Sequence, residues 1–465
     1  MLVANDPDTL DPRYAVDAVA LRTTRLVHAG LVRCDPDTLA PLPYLARGWR
    51  WVDPLTLRVE LREGLRFHSG APFDARDVVA TLRAFGSPEV SSRHARVVDA
   101  ILSAEPDGPY AVVVTMRRPH ATLVTDLELP ILRADEAASA PRPDGTLDGL
   151  GPFRVAHFSH GEVLLEPAAG GAMSAPLHAV SLRTVHDENA RALRLFAGRA
   201  DVALNVLSPT LLPAVEKERG LAIFSRPGSN LTYLVARTDR GVLGDARARR
   251  AVSLAVDRAE ITRTLLAGRA VPATTLIPPS HWAHTAAPLF PRDVDGARAA
   301  LAQAGITDAH LTLLTSTDRL RGSIARTLAQ ELAEVGIVVS VVPLELGTMI
   351  ARLNAGDFDL AVLQLPEIQE PNVLRVFMHS ASIPPAGANR GRIRDPEVDA
   401  LLDEGDRTPD IEVRRAIYAK LEARVRQEML MIPLWHEDQV VVTSERARSF
   451  VPSAEGRWLG LASLP

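Results

Sequence analysis

Apolar and polar residues alternate along this chain at two periods, and the two periods separate strands from helices. Leu57-Arg58-Val59-Glu60-Leu61 alternates residue by residue, which puts its apolar side chains on one face of a half-buried strand. Ala111 to Thr115 (AVVVT) and Ile337 to Val342 (IVVSVV) are short β-branched runs of the kind that fill buried strands. Ile324, Leu328, Leu332 and Val335 recur at spacings of three to four, so they share one helix face, and Gly336 ends the segment. With Leu311 to Leu314 before it and Ile337 to Val342 after it, this helix predicts a strand-helix-strand unit. Such a connection joins parallel strands and covers one face of their sheet. A second helix is predicted over about 412–429, with Ile417, Leu421 and Val425 along one side. The class that follows is α/β or α+β.

Turn-forming residues interrupt the pattern near 105–110, 139–152, 168–176 and 277–291. Pro141, Pro143, Gly145, Gly149, Gly151 and Pro152 crowd together, which predicts a place where the chain leaves one structural unit for another. There is no internal repeat and no low-complexity tract.

At 465 residues the chain has room for about three units of average size. Apolar residues at 46% and charged residues at 23% are ordinary soluble usage, so a folded core is expected. A formal charge of −5 supplies no field for gripping phosphate backbones or an anionic membrane, which argues against nucleic acid as a partner. Lys217 and Lys420 are the only lysines, and no G-K-[ST] triplet exists, so a phosphate-cradling ATPase loop is absent. Cys34 stands alone, which rules out an intramolecular disulfide, a C-x-x-C pair and a thiolate zinc site. No run of about 18 apolar residues occurs to make a spanning helix. The opening Met1 to Pro12 lacks the basic and apolar regions of a secretory signal, so the chain is expected to be cytoplasmic, already processed, or begun at a late start codon.

Catalytic signatures are missing as well. G-x-S-x-G, H-E-x-x-H and G-x-G-x-x-G are all absent. His157 and His160, like His281 and His284, have the H-x-x-H spacing that brings two ligands onto one helix face, but their surroundings read as strand and loop. Solvated or hydrogen-bonded histidines are the expected outcome. Asp293-Val294-Asp295-Gly296 begins like a calcium loop without the later acidic ligands, and is read as a helix start.

Longer motifs carry more information. Asp53 to Asp77 reads DPLTLRVELREGLRFHSGAPFDARD. This segment resembles the T-hydrophobic-x-hydrophobic-x-L-[RK]-x-G-x-x-F-H-D-G-x-P pattern of the extracytoplasmic solute-binding proteins, family 5, with Ser69 where an Asp is usual. Thr9-Leu10-Asp11-Pro12, Ala29 to Val32, and Gly149-Leu150-Gly151-Pro152-Phe153 resemble elements of the same family in the same order. Further matches are Asn189 to Asp201, Asp245 to Arg258, Asp293 to Gly305, Gly356 to Asp359, Asn389 to Leu402 and Ile432-Pro433-Leu434-Trp435. They extend over about 430 residues. For most matched residues a structural task is expected; Arg247, Arg250, Asp257 and Arg258 in particular read as a helix-borne polar network.

The resemblance implies an α/β, two-lobe periplasmic-binding-protein-like fold (type II, large cluster C type) with an extra subdomain in lobe one. Lobe one would hold residues 1–230 and 433–465, with its outer subdomain over about 32–148; lobe two would hold 231–432, and the hinge would lie near 229–235 and 433–442. It further implies the substrate-binding component of an ABC importer, which clamps a small solute between its lobes and delivers it to the permease. An oligopeptide or related amino-acid conjugate is the expected ligand. Counting back from the matched Glu370-Pro371, the family's ligand-pairing carboxylate falls at Glu367, and Gln364 replaces the tryptophan usual before it. Arg319, in the loop after a strand, Asn389 and Arg390 after the Pro384-Pro385 turn, and Trp435 and His436 at the hinge complete the implied site. No catalytic residue, metal or cofactor is expected. The protein would be a periplasmic or extracytoplasmic monomer, touching the membrane only through its permease or a lipid anchor. The alternative, favoured by the missing leader, is a cytoplasmic ligand-sensing domain of the same fold.

Overall fold

Aspartates set the helix starts. Asp74, Asp187, Asp257, Asp293, Asp318 and Asp410 each accept hydrogen bonds from first-turn N–H groups that otherwise lack a partner. Asp293, the first residue of the calcium-like run, caps Val294–Gln303 by accepting from the Gly296 N–H, so that run is a helix start as expected. The predicted helices are Arg319–Ala333 and Ile411–Glu428. Gly336 sits between helix and strand at φ 90°, a conformation that costs little only without a Cβ.

The computed structural model describes residues 1–142 and 145–465, so Pro143 of the turn-rich stretch lies outside the described residues. The chain forms two compact units, Met1–Arg226 with Gln439–Pro465, and Pro227–Asp438. The turn-rich 139–152 stretch therefore lies within the first unit and not at the division between the two.

In the first unit Leu2–Val3 lies parallel between Val180–Thr184 and Val202–Leu204. Glu162–Pro167 and Phe153–Ser159 continue that sheet antiparallel on one side, and Val441 to Thr443 pair with Val202–Leu204 on the other. A separate antiparallel sheet has the order Ala46–Asp53, Thr56–Leu61, Ala111–Met116, Ile101–Pro106. The alternation of Leu57, Val59 and Leu61 buries those three side chains in the core beneath it. Gly149 and Gly151 cross against the end of a helix, where a Cβ on either would meet the Val27 carbonyl. His68 holds that crossing in place: its Nε2–H donates to the Gly151 carbonyl at 2.9 Å and its backbone N–H to that of Gly149 at 2.9 Å.

The second unit contains the predicted strand-helix-strand unit. Ala309–Ser316 and Ile337–Leu344 are parallel neighbours, in register from Ala309↔Ile337 to Ser316↔Leu344. From there the chain passes through helix Leu346–Ala355 to Leu360–Leu365, which pairs with the opposite edge of Ala309–Ser316. The two crossovers run in opposite directions, and right-handedness puts their helices on opposite faces of the sheet. Connections leaving Ser316 and Leu344 therefore diverge. Leu231–Ala236 and the first part of Ile432–Ser444 extend the sheet antiparallel, and Ala270–Pro272 pairs with Trp435 to Glu437. Leu313, Ile324, Leu328, Leu332, Leu360 and Trp435 are buried together in the core of this unit. The polar network expected near Arg258 is present: its guanidinium is buried and donates to the Pro433 carbonyl at 2.8 Å and to the Ser253 carbonyl and hydroxyl at 2.9 Å.

Candidate functional site

Where connections diverge at the carboxyl ends of parallel strands, an open α/β sheet leaves a crevice. The second unit has a cavity of about 250 Å³ there. Ser316 ends one strand beside it, Leu363 and Gln364 lie near the end of Leu360–Leu365, and Leu346, Met349 and Ile350 come from the first turns of the helix that follows Ile337–Leu344. Tyr233 from the antiparallel neighbour, Phe377, Arg321 and Arg390 close the wall. The cavity thus carries two guanidinium groups, two hydroxyls and a carboxamide against an otherwise apolar lining.

Arg321 belongs to the first turn of helix Arg319–Ala333 and points to Glu437, with Nη1 at 2.7 Å from the carboxylate. Glu437 is placed by its own backbone: Asn230 donates to the Glu437 carbonyl at 2.7 Å and accepts from its N–H at 2.7 Å. The Glu437 carboxylate also accepts from the Thr232 hydroxyl at 2.9 Å and the Trp435 indole at 3.4 Å. Burial pushes the Glu437 carboxyl up, but the Arg321 charge and these hydrogen bonds outweigh it and hold the group below the usual range. Glu437 is therefore a carboxylate at neutral pH, already balanced by a cation of this chain.

Of the seven residues named from the sequence, Gln364 and Arg390 line the cavity. Gln364 reaches the Thr232 hydroxyl at 3.4 Å, and Arg390 donates through Nε to the Asn354 side chain at 3.0 Å. Glu367 is half-buried in the loop beyond Leu365 and lies outside the cavity wall. Arg319 is not in a loop: Asp318 caps the helix one residue earlier than the strand's apolar pattern suggests, and Arg319 is exposed at its first position. Asn389 is fully buried, and its side chain donates to the Met378, His379 and Ile393 carbonyls at 2.9 to 3.1 Å and accepts from the Ile393 N–H. Those bonds shape the loop that presents Arg390. Trp435 is fully buried in the unit's core, and the His436 Nδ1–H donates to the Asn230 carbonyl at 2.6 Å. Burial lowers the His436 pKa to about 4, so the ring is neutral at physiological pH.

Tyr233, Arg321 and Glu437 escaped the sequence reading. Glu437 follows Trp435 by two positions and so shares its side of the strand, and Arg321 follows Arg319 by two positions on the same helix. Both signals are spacing alone, which does not say which of two neighbours faces a cavity.

Both histidine pairs are engaged in hydrogen bonds. His157 is bonded to Ser159 at 3.0 Å and His160 to Asp6 at 2.7 Å. The His281 Nε2–H donates to the Gln369 carbonyl at 3.1 Å, while Nδ1 accepts the Ala283 N–H at 3.0 Å, so neither nitrogen has a lone pair left for a ligand bond. Among the described residues no cluster of three His, Cys, Asp or Glu could hold a metal ion, and no helix is long and apolar enough to cross a membrane.

Comparisons with known proteins bear on the family and the fold. The chain is 26% identical over 463 residues to the probable di/tripeptide-binding protein 5 of Pseudomonas aeruginosa, covering 92% of this chain and 88% of that protein. It is 28% identical over 482 residues to Protein XP55 of Streptomyces lividans, with 98% and 86% covered. The ABC transporter substrate-binding protein CtaP of Listeria monocytogenes has the same fold, with a TM-score of 0.89 at 22% identity over 99% of this chain and 97% of that one. The family model for bacterial extracellular solute-binding proteins, family 5, middle, matches residues 40–380. With most of its length matched, the chain belongs to the family 5 extracellular solute-binding proteins, which are transporter components and not enzymes.

Proposed function

We propose that this chain is the substrate-binding component of an ABC importer whose ligand is a small solute derived from amino acids, an oligopeptide or a related conjugate. The observation that carries this reading is the ligand-sized cavity at the switch point of the second unit, within a chain that matches the family over residues 40–380. The di/tripeptide-binding relative supports an amino-acid-derived ligand. In this reading lobe one comprises residues 1–230 and 433–465, and lobe two 231–432; they close about hinge segments near 229–235 and 433–442. The ligand is bound and released unchanged, so no residue is catalytic and no cofactor takes part. Gln364 and Arg390, joined by Tyr233 and Arg321, are its contacts on lobe two. The protein works as a monomer outside the cytoplasm, with a permease as its protein partner and no nucleic acid.

A calorimetric and thermal-shift panel of dipeptides, tripeptides, longer peptides and nickel chelates tests this. One class raises the melting temperature, and at a hundredfold excess over Kd the stabilisation is about 2.7 kcal/mol. Silence across the panel, or chemical turnover of any member, refutes the reading.

A further inference from the structure

The charge on the cavity wall is not balanced. Arg321 is neutralised by Glu437 at 2.7 Å. Arg390 is half-buried at the wall, its one side-chain hydrogen bond goes to the neutral Asn354, and no carboxylate stands within ion-pair distance of it among the described residues. No side chain lining the cavity is acidic. A cation without a counter-ion on a cavity wall attracts a ligand that brings the opposite charge.

A second observation points the same way. Tyr233 is 2% exposed as a whole residue and lines the cavity. A phenol on a cavity wall can hydrogen-bond to water or to a ligand that replaces it. Burial pushes this phenol's pKa up, against the opposing charge of Arg390, which keeps it a donor at any physiological pH. Arg390 and Tyr233 thus both contribute donors to the cavity wall. Met349, Ile350, Val362 and Phe377 supply the apolar remainder. A cavity of about 250 Å³ admits an amino-acid-sized body. Gln364 at the strand end offers an amide to an amide.

We infer that this cavity takes the carboxylate of an amine-blocked amino acid, an N-acyl amino acid or a compound of that chemistry, with Arg390 and Tyr233 on the carboxylate and the apolar wall against its side chain. The ammonium of a free peptide finds no unbalanced acid here, because the nearby carboxylate, Glu437, already holds Arg321. The inference rests on the solute-binding reading above and narrows its ligand class.

Calorimetry on the full chain with three probes tests it: N-acetyl-L-leucine, N-acetyl-L-leucinamide and the dipeptide Ala-Leu. N-acetyl-L-leucine is expected to bind at least tenfold more tightly than either of the others. Arg390→Gln should abolish the difference between acid and amide, and Arg390→Lys should keep part of it. Thermal melts confirm that both variants are folded, and the acid-to-amide ratio in the unsubstituted protein decides the matter even if they are not. Equal binding of acid and amide, or tighter binding of Ala-Leu, overturns the inference while leaving the solute-binding reading intact. If none of the three binds and the wider panel is silent too, both fall.

Discussion

Glu422 is a carboxyl buried where its charge is least welcome. It projects from helix Ile411–Glu428 and is 5% exposed, and it accepts the backbone N–H groups of Leu276 and Ile277 at 2.9 to 3.0 Å. Burial raises its pKa from 4.5 to about 7, against those hydrogen bonds and the Arg426 charge, which pull it down. The folded chain therefore binds this proton more tightly than the unfolded chain. Its contribution to stability is complete below pH 4.5 and is lost as the pH rises through 7. At 1.36 kcal/mol per tenfold, the loss amounts to about 3 kcal/mol. Glu422→Gln keeps an acceptor for the two N–H groups and does not titrate, so the variant gains on the unsubstituted protein as pH rises. The stability gap between them should shift by about 3 kcal/mol between pH 4.5 and pH 8. For a unit of 150–250 residues that is a change of roughly 6–12 °C in the difference between melting temperatures. Paired thermal melts, followed by tryptophan fluorescence at the two pH values, measure it. A gap that stays constant to within about 1 kcal/mol refutes the argument, because a group that titrates alike in folded and unfolded chains cannot move it.

Three other substitutions probe the structure elsewhere. Asn389→Ala removes side-chain bonds to Met378, His379 and Ile393 and leaves buried carbonyls unpaired, so urea unfolding should show a loss of about 2–4 kcal/mol. Arg321→Met strips Glu437 of its cation, and with burial then dominant the carboxyl's pKa rises. The cost, about 1–3 kcal/mol for a pair that keeps some exposure, should appear at pH 7, shrink as pH falls through 4.5, and vanish only below the lowered pKa of the paired carboxyl in the unsubstituted protein. Gly151→Ala drives a Cβ into the Leu26 and Val27 backbone, and thermal melts should place a loss of about 1–3 kcal/mol in the first unit without changing ligand affinity in the second.

Much of the fold was legible because it depends on local periodicity and on local capping. Ile324, Leu328, Leu332 and Val335 share a helix face whatever they pack against, and Asp318 and Gly336 bound that helix by chemistry within a few residues of each. The strand-helix-strand unit follows, since a parallel pair needs such a crossover, and the ordered matches to family 5 extend the reading to the whole chain.

What the sequence by itself determined, then, is the identity of the elements, their order and the family. Which side chain of each neighbouring pair meets the cavity was decided only in three dimensions. Arg319 and Arg321 differ by two positions on one helix, and a rotation of about 200° puts the first in solvent and the second on Glu437. Asn389 and Arg390 are adjacent, yet the first is consumed by four backbone bonds and the second is left facing the cavity. The physical reason is that periodicity reports only which face is apolar, whereas a binding site is made of polar groups whose partners come from distant segments. The pairing of Arg321 with Glu437, 116 residues away, leaves no local trace.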